Sequence, residues 1–131
     1  MLLDTSGLLC CFDRTDARHG DAEALFYSAP RLVTHGCVLA EFVPLCDIRG
    51  LPRPRALDFV RDLMDNPDVE VLWVGESLHR SALALLRERL DKDYSLCDAV
   101  SFLVMRRRGI TQALTTDRHF EQEGFVRLLP P

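Results

Sequence analysis

The chain has 131 residues, of which 47% are apolar and 27% charged, with a formal net charge of −4. This composition is typical of one globular domain, predicted to span residues 1–131. No apolar run approaches the roughly 20 residues that cross a bilayer, and no basic segment typical of a signal peptide precedes the first apolar run. We therefore expect a cytoplasmic protein without a membrane partner. The acidic charge also argues against nucleic-acid binding by bulk electrostatics.

The five cysteines form neither a C-x-x-C pair nor a zinc-like cluster with histidine. We interpret them as reduced, mostly buried, small hydrophobic residues. Lys92 is the single lysine among sixteen basic residues, so fifteen are arginine. Arginine matches phosphate oxygens with its planar fork, but codon usage in a GC-rich genome explains the same bias.

The N-terminal half reads as two short strands, each followed by helices. The predicted elements are a strand at 2–3, helices at 6–12 and 16–28, a strand at 31–34 and a helix running towards Ile48. Thr34 is the expected N-cap of that last helix. Pro44 lies inside the helix and should kink or split it.

The C-terminal half continues the alternation of helices and strands. The predicted elements are a helix at 54–64, a strand at 69–74, helices at 76–90 and 95–108, a strand at 112–116, a short helix at 117–124 and a strand at 125–129. Pro54 suits a first helical turn, and Gly109 suits the position after a helix end. The alternation predicts an α/β fold, with a parallel sheet covered by helices on both faces.

Two acidic residues directly follow predicted strands. Asp4 follows Leu2–Leu3, and Asp117 follows the strand at 112–116. In parallel sheets ligands bind beyond the carboxyl ends of the strands, so both carboxylates are candidates for a site at that edge. An N-cap role for either residue explains the pattern equally well.

Glu41 and Asp98 are two further candidates with structural alternatives. Glu41 falls at the border of the apolar stripe of its helix, where it either covers the core edge or reaches into a shared site. Ser95 and Asp98 have the spacing of a capping box, in which Asp98 bonds a backbone N–H group. Four carboxylates in one place would require a counter-charge, because like charges raise each other's pKa. Hard oxygen ligands without His or Cys select Mg²⁺ or Mn²⁺.

Four segments of the chain resemble, in order, the acidic motifs of PIN-domain nucleases, and the VapC-type toxins in particular. The segments are "LLDTSGLL", "VLAEF", "DYSLCDAVSFLVMRRRGI" and "ALTTDRHFEQEGFVRL", and the resemblance covers residues 2–129. It implies a three-layer α/β/α sandwich around a mostly parallel sheet. It also implies Mg²⁺- or Mn²⁺-dependent endonucleolytic cleavage of RNA by water, leaving 5′-phosphate and 3′-hydroxyl ends.

The resemblance assigns roles by position. It makes Asp4 and Asp98 the most direct metal ligands, completed by Glu41 and Asp117. Ser6 and Thr115 match polar positions that support the pocket. Cys97 stands where many relatives have threonine or another polar residue. The resemblance further implies a homodimer that is neutralised by a small antitoxin protein.

The remaining basic residues have structural and functional interpretations. Arg118 is a candidate phosphate contact because it adjoins Asp117. Arg106–Arg108 either complement the dipole at their helix end or contact RNA. We interpret the histidines as surface or helix-face residues, with His119 set apart because it lies two residues beyond Asp117. They are His19, His35, His79 and His119.

Two other classes of protein remain as alternatives. One is a protein-binding module of the same fold without nuclease turnover. The other is a signalling receiver, which needs paired acids after its first strand and a lysine after a later strand. Asp4 stands alone and Lys92 precedes a helix, which disfavours the receiver.

Overall fold

The computed structural model describes residues 1–131 and contains one sheet of five parallel strands. The strands are β1 (Leu2–Leu3), β2 (Leu32–His35), β3 (Val69–Leu72), β4 (Gln112–Leu114) and β5 (Val126–Arg127). Their order is β3-β2-β1-β4-β5, so the N-terminal strand lies at the centre and pairs with β2 and β4. The predicted parallel sheet is confirmed.

Seven helices cover the two faces of this sheet. They are α1 (Thr5–Phe12), α2 (His19–Ser28), α3 (Gly36–Ile48), α4 (Arg53–Asp65), α5 (Glu76–Arg87), α6 (Leu96–Arg108) and α7 (His119–Gln122). Successive strand residues point to opposite faces. Leu3 packs into a core with α1–α4, whereas Leu2 packs into a second core with α5–α7. The predicted three-layer α/β/α sandwich is confirmed.

The start of α3 differs from the prediction. Thr34 is a buried residue of β2 rather than the N-cap, and its Oγ1 donates a 2.9 Å hydrogen bond to the Leu3 carbonyl. His35 takes the N-cap position without a capping side-chain bond. The β-branched threonine suits the buried strand, where its hydroxyl has a partner. Pro44 is exposed and does not split α3, which runs unbroken to Ile48.

A close backbone approach joins α1 to β4. A Cβ atom placed on Gly7 would lie 2.0 Å from the Leu114 carbonyl oxygen, so only glycine fits at this position. The contact brings the beginning of α1 against the end of β4. Elsewhere, Gly109 ends α6 with φ 63°, as its position in the sequence predicts.

All five cysteines are free, and three of them are buried in agreement with the sequence interpretation. None of the seven helices has the length and apolarity that crossing a membrane requires.

Candidate active site

The carboxyl ends of β1 and β4 meet at the middle of the sheet and bring Asp4 beside Thr115. Leu3 pairs with Leu114 in parallel register, and each strand ends there. The Asp4 N–H group continues the ladder with a 3.2 Å bond to the Leu114 carbonyl. Asp4 and Thr115, which are far apart in the sequence, therefore lie side by side at the carboxyl edge of the sheet.

Asp4 is held by hydroxyl groups rather than used as a helix cap. Its side-chain Oδ2 accepts hydrogen bonds from Thr115 Oγ1 at 2.7 Å and from Ser6 Oγ at 3.0 Å. It occupies the N-cap position of α1 without a capping side-chain bond. The residue is only 6% exposed. Burial raises the pKa of Asp4 to about 6, and the nearby charge of Asp98 acts in the same direction against the two hydroxyls.

Asp98 serves α6 and the site at once. It forms the predicted capping box, in which the Ser95 N–H group donates to Asp98 Oδ2 at 2.9 Å. The same Oδ2 lies 2.9 Å from Nδ1 of His119. The structural and functional interpretations of Asp98 are therefore compatible, because capping uses one carboxylate oxygen and leaves Oδ1 free.

Asp117 joins this group through the backbone and through His119. Its N–H group donates to Thr115 Oγ1 at 3.0 Å, which extends the hydroxyl network that holds Asp4. Its Oδ1 accepts the His119 N–H group at 2.9 Å, and its Oδ2 lies 3.4 Å from His119 Nδ1. Ligand atoms of Asp98, Asp117 and His119 lie within 4.8 Å of one another, a spacing that one metal ion can span.

Glu41 lies at the exposed rim of the site. Its Oε2 accepts a 3.2 Å hydrogen bond from Thr5, the residue after Asp4. Burial raises the pKa of the Cys97 thiol, and the charges of Glu41 and Asp4 raise it further, so this thiol remains protonated between the two acids. Glu41 is thus near Asp4 but outside the cluster that includes His119.

The donor set suits a hard divalent cation. Both side-chain hydrogen bonds to Asp4 and both hydrogen bonds to Asp98 reach Oδ2, so none of these four bonds uses Oδ1 of either carboxylate. No Lys or Arg forms an ion pair with Asp4, Asp98 or Asp117. Orienting bonds to one oxygen and a free second oxygen are the arrangement expected of metal-ligating carboxylates.

The basic residues near the site fall into two groups. Arg118 is exposed beside Asp117 and forms no ion pair, so its guanidinium is available to a phosphate. In contrast, Arg106 pairs with Glu123, Arg107 reaches Ser81 and Arg108 pairs with Glu70. These contacts favour the structural interpretation of the Arg106–Arg108 run.

Two histidines depart from the general surface interpretation, and the sequence already set one of them, His119, apart. His119 is not merely a helix-face residue, because its ring bridges two carboxylates and packs edge-on against Tyr94 at 5.1 Å. The Asp-x-His spacing of 117–119 is the signal that set this residue apart. His35 is fully buried rather than on the surface, and its Nε2 lies 2.7 Å from Ser101 Oγ. Its place at the end of an apolar strand could have indicated this.

The fold agrees with the comparisons to known proteins. The sequence profile of the PIN domain matches residues 1–125. The chain belongs to the PIN domain family. It is 34% identical, over 99% of its length and 98% of the relative, to the "23S rRNA-specific endonuclease VapC20" of Mycobacterium tuberculosis, in both the CDC 1551 and the H37Rv strains. The crystal structure of that VapC20, described as a sarcin–ricin loop cleaving toxin, superposes with a TM-score of 0.87 over 99% of this chain and 98% of that one.

Proposed function

We propose that this chain is a Mg²⁺- or Mn²⁺-dependent endoribonuclease, the toxin of a toxin–antitoxin pair. The observation that carries the proposal is that Asp4, Asp98 and Asp117 lie at one sheet edge without an arginine or lysine to balance them. Carboxylates arranged in this way call for an external cation. Full-length similarity to a ribonuclease supports RNA as the substrate.

The residues that would hold the ion are Asp4 and Asp98, through their free oxygens, with Glu41 and Asp117 completing the site directly or through water. When bound, a divalent cation supplies charge neutralisation at the phosphate and a lower pKa for a nearby water. His119 adds a nitrogen within reach of Asp98 and Asp117, although Mg²⁺ prefers oxygen.

In this proposal, residues of the chain orient the metal-binding carboxylates and bind the RNA. Ser6 and Thr115 fix the carboxylate of Asp4, and the Ser95 N–H group fixes that of Asp98. Arg118 would contact a phosphate of the RNA beside Asp117. Water, rather than a ribose 2′-hydroxyl, attacks the phosphorus in this scheme, so the products carry 5′-phosphate and 3′-hydroxyl ends.

The relative's name makes 23S rRNA the first substrate to test. We also propose a homodimer and a small antitoxin as protein partners. A groove of about 240 Å³ between α2 and α4 offers an apolar surface to such a partner, with Phe26, Tyr27 and Phe59 among its lining residues. Tyr27 is exposed, as are Leu57 and Met64 of α4.

The test is to incubate the purified protein with total cellular RNA and to map new 5′ ends, with Mn²⁺ and with EDTA. We expect discrete cleavage with Mn²⁺ that EDTA abolishes and that an Asp4→Asn variant lacks. Equal cleavage in EDTA, or by Asp4→Asn, would contradict the proposal. A folded protein that binds an antitoxin but cleaves no RNA would instead support the protein-binding alternative.

A further inference from the structure

A buried polar pair lies beneath the acidic edge and takes no direct part in the proposed chemistry. His35 ends β2, and Ser101 lies in the second turn of α6; both are 0% exposed. The 2.7 Å contact between His35 Nε2 and Ser101 Oγ is the hydrogen bond that links them. The other ring nitrogen, Nδ1, is buried without a partner.

The pair joins the elements that carry two of the acids. Ser101 follows Asp98 by three residues, so the two side chains share a face of α6. His35 directly precedes α3, the helix that carries Glu41. The register of β1 with β2 pairs Leu2 with Val33, and Thr34 bonds to the Leu3 carbonyl, so Asp4 and His35 are the next residues along these two neighbouring strands. A single hydrogen bond thus connects the neighbour of Asp4 to the helix of Asp98.

Stability alone does not account for this pair. A hydrogen bond adds little net free energy, and an unpaired buried nitrogen counts against it. The residues near the pair along the chain, including Val33, Val100 and Phe102, belong to an apolar core, so an apolar side chain at position 35 suits this region. Apolar contacts let a helix slide or rotate by small amounts, whereas a hydrogen bond fixes direction and distance.

We propose that His35 is a positioning residue that, through Ser101, holds α6 in place against β2 and so sets the separation of Asp98 from Asp4. This inference rests on the proposed function, in which those two acids bind one ion. It predicts that an apolar side chain in place of His35 weakens metal binding without weakening the fold.

The experiment compares four variants with the wild type. His35→Leu removes the bond at similar volume, and Ser101→Ala removes its other end. His35→Gln retains a nitrogen that can reach Ser101 and serves as the rescue. Thr34→Val is the matched control, because it removes an equally buried bond from the same strand, the one to the Leu3 carbonyl.

Three readouts separate positioning from folding. Calorimetric titration with Mn²⁺ gives metal affinity, and denaturant unfolding gives stability. Amide exchange by NMR at Asp98 and Ala99, whose N–H groups bond to Ser95 at 3.0 and 3.1 Å, reports the order of the first turn of α6 in the metal-free protein. The Ile110 amide, bonded to Met105 at the far end of α6, is the internal reference.

We expect about tenfold weaker Mn²⁺ binding for His35→Leu and Ser101→Ala, in the range seen for residues that orient metal ligands. Exchange at Asp98 and Ala99 should rise at least fivefold in both variants, with Ile110 unchanged. The unfolding midpoint of His35→Leu should stay at or above the wild-type value, whereas that of Ser101→Ala should fall, because Nε2 of the buried His35 then has no partner. His35→Gln should recover most of the affinity, and Thr34→Val should match the wild type in both affinity and exchange.

Unchanged exchange at Asp98 and Ala99 in His35→Leu would overturn the inference whatever the metal data show. So would an affinity loss equal to that of Thr34→Val. If the wild type binds no Mn²⁺, or if Asp98→Asn binds as tightly as the wild type, the proposed function fails, and the exchange data still decide whether His35 orders α6.

Discussion

Two carboxylates in this molecule have side chains shielded from solvent, but only one of them is balanced by positive charge. The side chain of Glu123 is 4% exposed, but Arg89 donates to it at 2.7 Å, and Arg106 also pairs with it. Burial raises the pKa of Glu123, yet the bonds and charges of the two arginines outweigh it, and the net pKa is lowered. Asp4 is 6% exposed, has no arginine, and its pKa is raised to about 6.

The difference distinguishes a structural carboxylate from one prepared for a ligand. Where the fold supplies its own cations, as at Glu123, the charge closes a contact between α6 and the chain after α7. Where it supplies hydroxyl groups and no cation, as at Asp4, the carboxylate stays electrostatically unfavourable until something positive arrives. Both sites contain a carboxylate, but only Glu123 is paired with arginines. Removing the charge at each site should therefore have opposite effects on stability, and only the change at the acidic edge should affect catalysis.

The largest expected difference is in catalysis. Asp98→Asn should lower RNA cleavage at least ~1000-fold, or about 4 kcal/mol, because the residue would ligate the ion at the reacting phosphate. Glu123→Gln should leave the cleavage rate within about threefold when assayed well below its unfolding temperature. A fluorescent RNA oligonucleotide gives both rates. Comparable losses in the two variants would show that the distinction between the sites is wrong.

Removing the charge should change the free energy of unfolding in opposite directions at the two sites. The folded-state pKa of Asp4, about 6, exceeds its reference value of 3.8, so its contribution to stability is present below pH 4 and is lost as the pH rises through 6. The size is about 3 kcal/mol. In EDTA at pH 7, Asp4→Asn should therefore be more stable than the wild type, by roughly 1–3 kcal/mol.

Glu123→Gln should act in the opposite direction. It should lose about 1 kcal/mol at pH 7, a modest amount because both arginines are partly exposed and can rehydrate. Urea unfolding between pH 4 and 7 measures both variants. If metal-free Asp4→Asn were less stable than the wild type across this range, the ionised Asp4 carboxylate would not be unfavourable in the metal-free fold.

The hydroxyl network around Asp4 should have a smaller catalytic effect. Thr115→Val keeps the shape of the side chain but removes the donor to Asp4 Oδ2 and the acceptor for the Asp117 N–H group. We expect cleavage to fall about 10–100-fold, with Mn²⁺ affinity falling in parallel. Thr116→Val is the control, since its hydroxyl makes no hydrogen bond, and it should stay within about threefold. Equal effects of the two valines would show that the Thr115 hydroxyl does not support the site.

The smallest effect is expected at the surface. Arg118→Ala should raise KM for RNA about three- to fivefold with kcat unchanged, and should reduce the slope of log KM against log salt by about one. Arg108→Ala, whose guanidinium already pairs with Glu70, should change neither quantity. If Arg118→Ala lowered kcat, Arg118 would act in the chemical step rather than in RNA binding.

The sequence was most informative where local pattern determines position. Asp4 and Asp117 each follow a short strand, and parallel strands end at one edge, so their convergence follows from the strand pattern alone. Ser95 and Asp98 were identifiable as a capping box from their spacing, and the structure contains it. Local spacing could not show that Asp98 is also in the acidic cluster, because a cap and a site residue have the same local pattern; only the family resemblance indicated it.

What the sequence could not provide depends on contacts between distant residues. His35 and Ser101 are 66 positions apart, and no periodicity predicts that they meet. Thr34 was predicted as an N-cap because threonine is favoured there. In the structure its hydroxyl instead donates to the Leu3 carbonyl of the neighbouring strand. His119 bridges two acids only because α6 and α7 pack together, and packing is decided by the whole core.

Gly7 determines how much change the acidic edge can tolerate. The Asp4–Thr115 distance is set by main chain resting on main chain at Gly7 and Leu114, without side chains in between. Surrounding apolar residues can therefore drift in size without moving these two groups. Even a methyl group at position 7 would push α1 and β4 apart, so the placement of Asp4 beside Thr115 depends on the absence of one carbon atom.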